Sequence, residues 1–131
     1  MKVLALDYGA ARTGVAVSDA TGTIARPLEV VERAASPAGL RRIAELVRAH
    51  GAERVVVGLP LTLRGARGEQ ARETEEFVRA LRAALAVPVE TYDERFTTAL
   101  AARAAGDAPE DARAAAHLLE SYLAWTGASR S

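Results

Sequence analysis

Apolar residues come in short blocks along this chain, and the blocks differ in period. Residues 2 to 7, ending in Leu6-Asp7, form an almost unbroken apolar run, and residues 13 to 18 form a second. Short apolar runs bounded by Gly and polar clusters are strands. Tyr8-Gly9-Ala10-Ala11-Arg12 joins them. Asp19-Ala20-Thr21-Gly22 is a turn cluster. Thr23 to Val31 follows as a third strand, with Pro27 marking an edge or an irregularity. Connections this short predict an antiparallel meander.

The period then changes. Ser36-Pro37 opens a helix, with Ser36 as N-cap and Pro37 at the first helical position. Leu40, Ile43, Ala44 and Val47 give its apolar stripe, and Gly51 stops it. Arg54 to Pro60 is a continuous apolar run, the pattern of a strand covered on both faces. Leu61 to Gly68 is a loop. Glu69 begins a second helix with Ala71, Thr74, Phe77, Val78, Leu81 and Leu85 on one face. Glu73, Glu75 and Glu76 sit near its positive end. Val87 to Tyr92 is a further strand, closed by Asp93-Glu94-Arg95. Thr97 or Thr98 caps a short helix through Ala105. Asp107-Ala108-Pro109-Glu110 resembles a capping box before a last helix. That helix runs to about Trp125, with Ala112, Ala115, Ala116, Leu119, Tyr122 and Leu123 inward and residues 127–131 as a flexible tail. The fold class is α/β. The order predicts a five-stranded mixed sheet, antiparallel over its first three strands and then built from parallel β-α units, with helices on both faces. Residues 1–131 form a single domain without repeat or linker.

Composition changes this picture little. At 131 residues, a chain buries roughly two-thirds of its unfolded surface and folds without staples. There is no cysteine, which excludes disulfides, thiolate metal sites and a cysteine nucleophile. No apolar run approaches the ~20 residues that span a membrane, and Asp7 interrupts any signal-peptide layout. A soluble, cytoplasmic protein is expected. Net charge is zero, which gives no support for tight, sequence-independent nucleic-acid binding. Lys2 is the only lysine. The arginines suit bidentate phosphate contacts or simply reflect a GC-rich genome.

The candidate chemistry is acidic. Asp7 ends the first strand, where a buried charge is costly unless a cation or donor meets it. Asp93 and Glu94 follow the last strand, and Glu110 and Asp111 open the last helix. Strand ends and helix starts can converge on one edge of a mixed sheet. Carboxylates converging without His or Cys form an all-oxygen site suited to Mg²⁺ or Mn²⁺. Two such ions ~4 Å apart can activate water and stabilise a leaving oxygen. The alternatives stay open: a turn Asp bonding its own backbone, Asp93 pairing with Arg95, and Glu110 or Asp111 as ordinary first-turn acids.

Five motifs recur in order: Leu6-Asp7-Tyr8-Gly9, Arg12-Thr13-Gly14-Val15-Ala16, Gly58-Leu59-Pro60, Asp93-Glu94-Arg95 and Leu119-Glu120-Ser121-Tyr122. Together they resemble the YqgF family, also called RuvX, over essentially the whole chain. The resemblance implies a ribonuclease H-like fold and a nuclease. That nuclease matures the 5′ end of the 16S rRNA precursor in ribosome biogenesis or cuts Holliday junctions in DNA recombination. It implies Asp7, Glu94 and Asp111 as catalytic ligands of one or two Mg²⁺ or Mn²⁺ ions, with Glu110 and Asp93 as rivals. It also implies Arg12 at a scissile-strand phosphate. Arg95 orients Glu94, contacts the backbone or pairs with a neighbouring acid. Two departures stand out. The lysines usual before the last acid are absent from Asp107-Ala108-Pro109-Glu110, and the usual Asp-Gly after Gly-Leu-Pro is Arg64-Gly65. Arg64, Arg67 and Arg72 place positive charge on that segment, where it grips a nucleic-acid backbone or is merely solvated.

Tyr8, Tyr92 and Phe96 flank the acids as base-stacking or core residues. His50 and His117 read as packed or solvated, and Ser18 and Ser121 lack a His–acid partner. The expected partners are structured RNA or branched DNA and a pre-ribosomal particle, without a membrane, as a monomer or homodimer. Two other classes remain. One is an ATPase, because the Asp7–Gly14 hairpin also resembles the phosphate-binding hairpin of actin-like folds, although those use two domains. The other is a catalytically weak nucleic-acid-binding assembly factor.

Overall fold

A computed structural model describes residues 1–59, 68–93 and 110–130, the last stretch with side chains at 111–126. The predicted loop before Gly68 and the predicted helix from Thr97 to Ala105 lie outside these residues. Five strands form one sheet: β1 (Val3–Asp7), β2 (Arg12–Ser18), β3 (Ala25–Glu32), β4 (Arg54–Leu59) and β5 (Val89–Asp93). Their order is β3-β2-β1-β4-β5. β1 is central, antiparallel to β2 and parallel to β4. β3 is antiparallel to β2, and β5 parallel to β4. The expected mixed sheet is therefore present. β1, β4 and β5 share a carboxyl edge, the edge at which open α/β sheets hold their ligands.

Alternation along each strand sorts the side chains onto two faces. Leu4, Leu6, Val15, Val55 and Val57 pack with helices α1 (Pro37–His50) and α2 (Glu69–Ala84), through Ile43, Leu46, Phe77, Val78 and Leu81. Val3, Ala5, Ala16, Val56 and Tyr92 pack under helix α3 (Glu110–Arg130), through Ala115, Ala116, Leu118, Leu119 and Tyr122. β1 is buried along its whole length, as an apolar run covered on both faces requires.

The local signals act as expected in α1. The Ser36 side chain accepts from the Gly39 N–H, Pro37 starts the helix, and Gly51 ends it at φ 66°. The stripe is centred one residue later than its spacing predicts, with Leu46 buried and Ala44 half-buried. β3 begins at Ala25 instead of Thr23. The Asp19 carboxylate takes the N–H groups of Thr23 and Ile24 at 2.9 and 3.0 Å, so those amides serve the turn and not the ladder. Ile24 is left exposed. Pro27 lies on an edge strand at a register shift opposite Val15 and Ala16. α3 stays helical to Arg130, past the Trp125 where its apolar spacing fades. None of the described helices is long and apolar enough to cross a membrane.

Candidate metal-binding active site

The candidate site begins at the carboxyl end of β1. Asp7 has the parity of Val3 and Ala5, so its carboxylate belongs to the α3 face. It is 7% exposed, and a carboxylate removed from water to this degree needs compensation from donors or a cation. Behind it the chain turns tightly. Thr13 is fully buried, and its hydroxyl oxygen lies 3.4 Å from both the N–H and the carbonyl oxygen of Gly9. A Cβ on Gly9 would stand 2.5 Å from the Arg12 carbonyl oxygen, so the turn closes only around glycine.

Asp7 is paired in register with Gly14 of β2. Gly14 is where α3 meets the sheet: a Cβ there would stand 1.7 Å from the Asp111 carbonyl oxygen and 2.2 Å from its carbon. The missing side chain lets the first turn of α3 rest directly on β2. Ala112, Ala114, Ala115 and Ala116, all buried, keep the rest of the approach close. A glycine inside a strand marks such contacts between backbones. Asp7 and Asp111 are thus neighbours across one glycine, although they lie 104 positions apart in sequence. Arg12, two residues before Gly14 and on the same face, completes the described site. Its Nε lies 3.5 Å from Asp111 Oδ2, with the arginine side chain 67% exposed and the aspartate 27%.

Of the other predicted residues, only some are described. Glu94, Arg95, Arg64 and Arg67 lie outside the described residues, as does the Glu110 side chain. Asp93 pairs with Leu59 at the same sheet edge, but it has the parity of Val89, the face opposite Tyr92. It also stands two strands from β1, roughly 10 Å at the usual strand spacing. As a rival ligand it is therefore badly placed to share an ion with Asp7. Tyr8 belongs to the α1–α2 face and stacks on Phe77, with centroids 4.4 Å apart and planes at 23°. One face of its ring thus packs on a core phenylalanine. Burial, then Glu73 and Glu76, raises its phenol above the ordinary range. Arg72 is exposed on α2, across the sheet from Asp111. Tyr92 is buried and packs against Tyr122 and Trp125.

The serines are structural. Ser18 Oγ accepts the Val3 N–H at 2.8 Å and donates to the Asp19 carbonyl at 3.0 Å, and Ser121 Oγ bonds Tyr92 at 2.9 Å. Among the described residues no group of three His, Cys, Asp or Glu side chains could hold an ion. The described donors are Asp7 and Asp111. Their chemistry still fits a hard divalent cation: carboxylate oxygens only, one of them buried, the other already facing a positive charge.

Sequence reasoning missed two features. Gly14 read only as part of a motif, although a glycine amid strand residues was the available signal. The second is a network at the opposite end of the sheet. Arg54 NH1 donates to Glu90 Oε1 at 3.3 Å and to the Tyr122 hydroxyl at 3.1 Å, and that hydroxyl also donates to Glu90. Burial, and the bond to Glu90, raise the Tyr122 phenol. These residues lie far apart in sequence, and no local spacing announces them.

Comparison with known proteins gives one family. The family model described as RuvX, Holliday junction resolvase, matches residues 1–125. A relative from Desulforudis audaxviator is 48% identical over 99 residues, covering 76% of this chain and 70% of its own. A relative from Rubrobacter xylanophilus is 45% identical over 130 residues, covering 93% and 91%. Both carry the provisional description pre-16S rRNA nuclease. Among solved structures, Thermus thermophilus RuvC in complex with a Holliday junction substrate superposes with a TM-score of 0.61 at 24% identity, covering 97% of this chain and 96% of that one. That likeness is one of fold.

Proposed function

The chain belongs to the RuvX family of Holliday junction resolvases, and from that premise we propose that it is a divalent-metal-dependent nuclease that matures the 5′ end of the 16S rRNA precursor. The observation that carries this reading is the juxtaposition of Asp7 and Asp111 across Gly14. The relatives described as pre-16S rRNA nucleases favour the RNA substrate. A pre-ribosomal substrate would also put the protein in the cytoplasm.

Asp7 and Asp111 would hold Mg²⁺ or Mn²⁺, with Glu94 as the third ligand implied by family resemblance. Such an ion supplies positive charge that stabilises the charge developing on a scissile phosphate. The chain's own residues do the positioning. β1, hydrogen-bonded on both sides, fixes Asp7. The Gly14 contact fixes the first turn of α3, and with it Asp111. Arg12 is exposed beside them and presents a guanidinium fork, the group that grips phosphate bidentately.

The test compares wild type with Asp7→Asn on a precursor-rRNA fragment and on a four-way DNA junction, with and without Mn²⁺. Asp7→Asn should lose more than the roughly 10–100-fold that removing an outer-sphere partner costs. Full Mn²⁺-dependent cleavage by that variant would sink the site assignment. A second reading, cleavage of branched DNA, is favoured by the family's description as a resolvase. Preference for the junction over the rRNA fragment would select it. Binding unaffected by EDTA, with no cleavage under any divalent ion, would select an assembly factor without catalysis.

A further inference from the structure

Arg12 and Asp111 have both been given parts in the proposed site, yet here they are spent on each other. We propose that this pair is a latch: in the metal-free protein Arg12 stands in for the cation at Asp111, and the ion and the substrate phosphate release it together. The inference rests on the site reading above and deepens it.

The pair is set by backbone and not by two flexible side chains meeting by chance. Arg12 opens β2 and has the parity of Gly14, and the Asp111 backbone rests on Gly14. The guanidinium therefore starts about one residue pair from the carboxylate it faces. Its Nε is 3.5 Å from Asp111 Oδ2 while most of the side chain remains in solvent. A guanidinium can leave such a position at small cost, because exposed pairs of this kind are weak.

A divalent ion on Asp111 and the guanidinium beside it repel each other at this range. With Arg12 still in place, two positive groups would share one side chain, so a bound ion weakens the hold of Asp111 on the arginine. Once released, Arg12 remains tethered to the start of β2 beside the site with its donors unspent, where a phosphate can take them. The converse follows from linkage: a phosphate that captures Arg12 leaves Asp111 available to the ion. Each ligand then tightens the other by the same factor.

The test is the affinity of the full chain for Mn²⁺, measured by titration calorimetry and by the free Mn²⁺ spin-resonance signal. Wild type is compared with Arg12→Gln and with Arg26→Gln, which removes the same charge from an exposed position at the other end of β3. Arg12→Gln should bind Mn²⁺ about two- to fivefold more tightly, the range a weak exposed pair allows, while Arg26→Gln stays at the wild-type value. A phosphorothioate oligonucleotide should tighten Mn²⁺ binding more in wild type than in Arg12→Gln. Unchanged or weaker Mn²⁺ binding by Arg12→Gln overturns the latch and leaves Arg12 as a residue that merely positions Asp111. Wild-type Mn²⁺ binding that is absent, or indifferent to Asp7→Asn, overturns the site reading itself and the latch with it.

Discussion

Gly14→Ala is the sharpest perturbation this fold offers. Gly14 is not among the glycines with positive φ, so its backbone conformation is open to alanine. By chain entropy alone, such a substitution would stabilise by roughly 0.4–1 kcal/mol. The neighbourhood reverses that expectation. The new Cβ would lie 1.7 Å from the Asp111 carbonyl oxygen and 2.9 Å from the Ala112 nitrogen, whereas real Cβ contacts essentially never fall below 3.0 Å. One partner must retreat by more than 1 Å, and both are backbone. β2 is held by ladders to β1 and β3, so the first turn of α3 is the part that yields. Overpacking of this kind costs about 1–3 kcal/mol. A shift of ~1 Å in Asp111 relative to Asp7 costs roughly 10²-fold in rate. Urea denaturation gives the first number. Mn²⁺-dependent cleavage at a temperature where the variant stays folded gives the second. The signature is a rate loss out of proportion to the stability loss. A variant with wild-type denaturation midpoint and wild-type rate would refute the claim that α3 is seated on Gly14.

The remaining predictions concern the two faces of the sheet and the turn beyond it. Asp7→Asn abolishes Mn²⁺-dependent cleavage, and Arg12→Gln tightens Mn²⁺ binding, each by the assays given above. Phe77→Ala removes the ring on which Tyr8 stacks and should cost about 3–5 kcal/mol of stability in denaturant titration. Tyr8→Phe keeps that stack and removes only the hydroxyl, so nucleic-acid affinity by fluorescence anisotropy should stay at the wild-type value; a several-fold loss would make the Tyr8 hydroxyl a contact. Asp19 is held well below the usual carboxylate range by the Thr21 hydroxyl first, then by the Ile24 and Thr23 N–H groups. A depressed carboxyl stabilises the fold above its unfolded pKa near 4 and loses that contribution as pH falls further. In thermal melts between pH 2 and 7, Asp19→Asn should therefore show a shallower decline on the acid side than wild type. An unchanged acid limb would refute that role for Asp19.

What the sequence made legible depended on how locally each feature is determined. The ends of α1 follow from Ser36, Pro37 and Gly51, each acting within one turn of its own position. The central strand was readable because Val3 to Leu6 are apolar on both parities. The start of β3 was not, because the competition between Asp19 and the ladder for the Thr23 and Ile24 amides is decided by a turn geometry that spacing does not reveal. The acids were legible as element ends, but their meeting was not. It depends on Gly14 admitting the start of α3, and nothing in the order of elements says how closely a helix may approach a strand. The Arg54–Glu90–Tyr122 network was illegible for the same reason: three elements supply one residue each.

Strand parity also limits where a nucleic acid can lie. Asp7, Gly14, Arg12 and Asp111 share the α3 face, while Tyr8 and α2, with Arg72, belong to the other. A strand that reaches the acids therefore runs along the α3 side of the carboxyl edge, beside Arg12. The chain has no net charge, so it has little long-range attraction to offer a polyanion. Short-range contacts, with the proposed ion and with Arg12 among them, must therefore contribute to its hold on substrate. That dependence gives the latch a consequence for selectivity. On the proposed latch a nucleic acid is held more tightly at Arg12 when metal and phosphate are both present, which favours a strand whose backbone is correctly presented at Asp7.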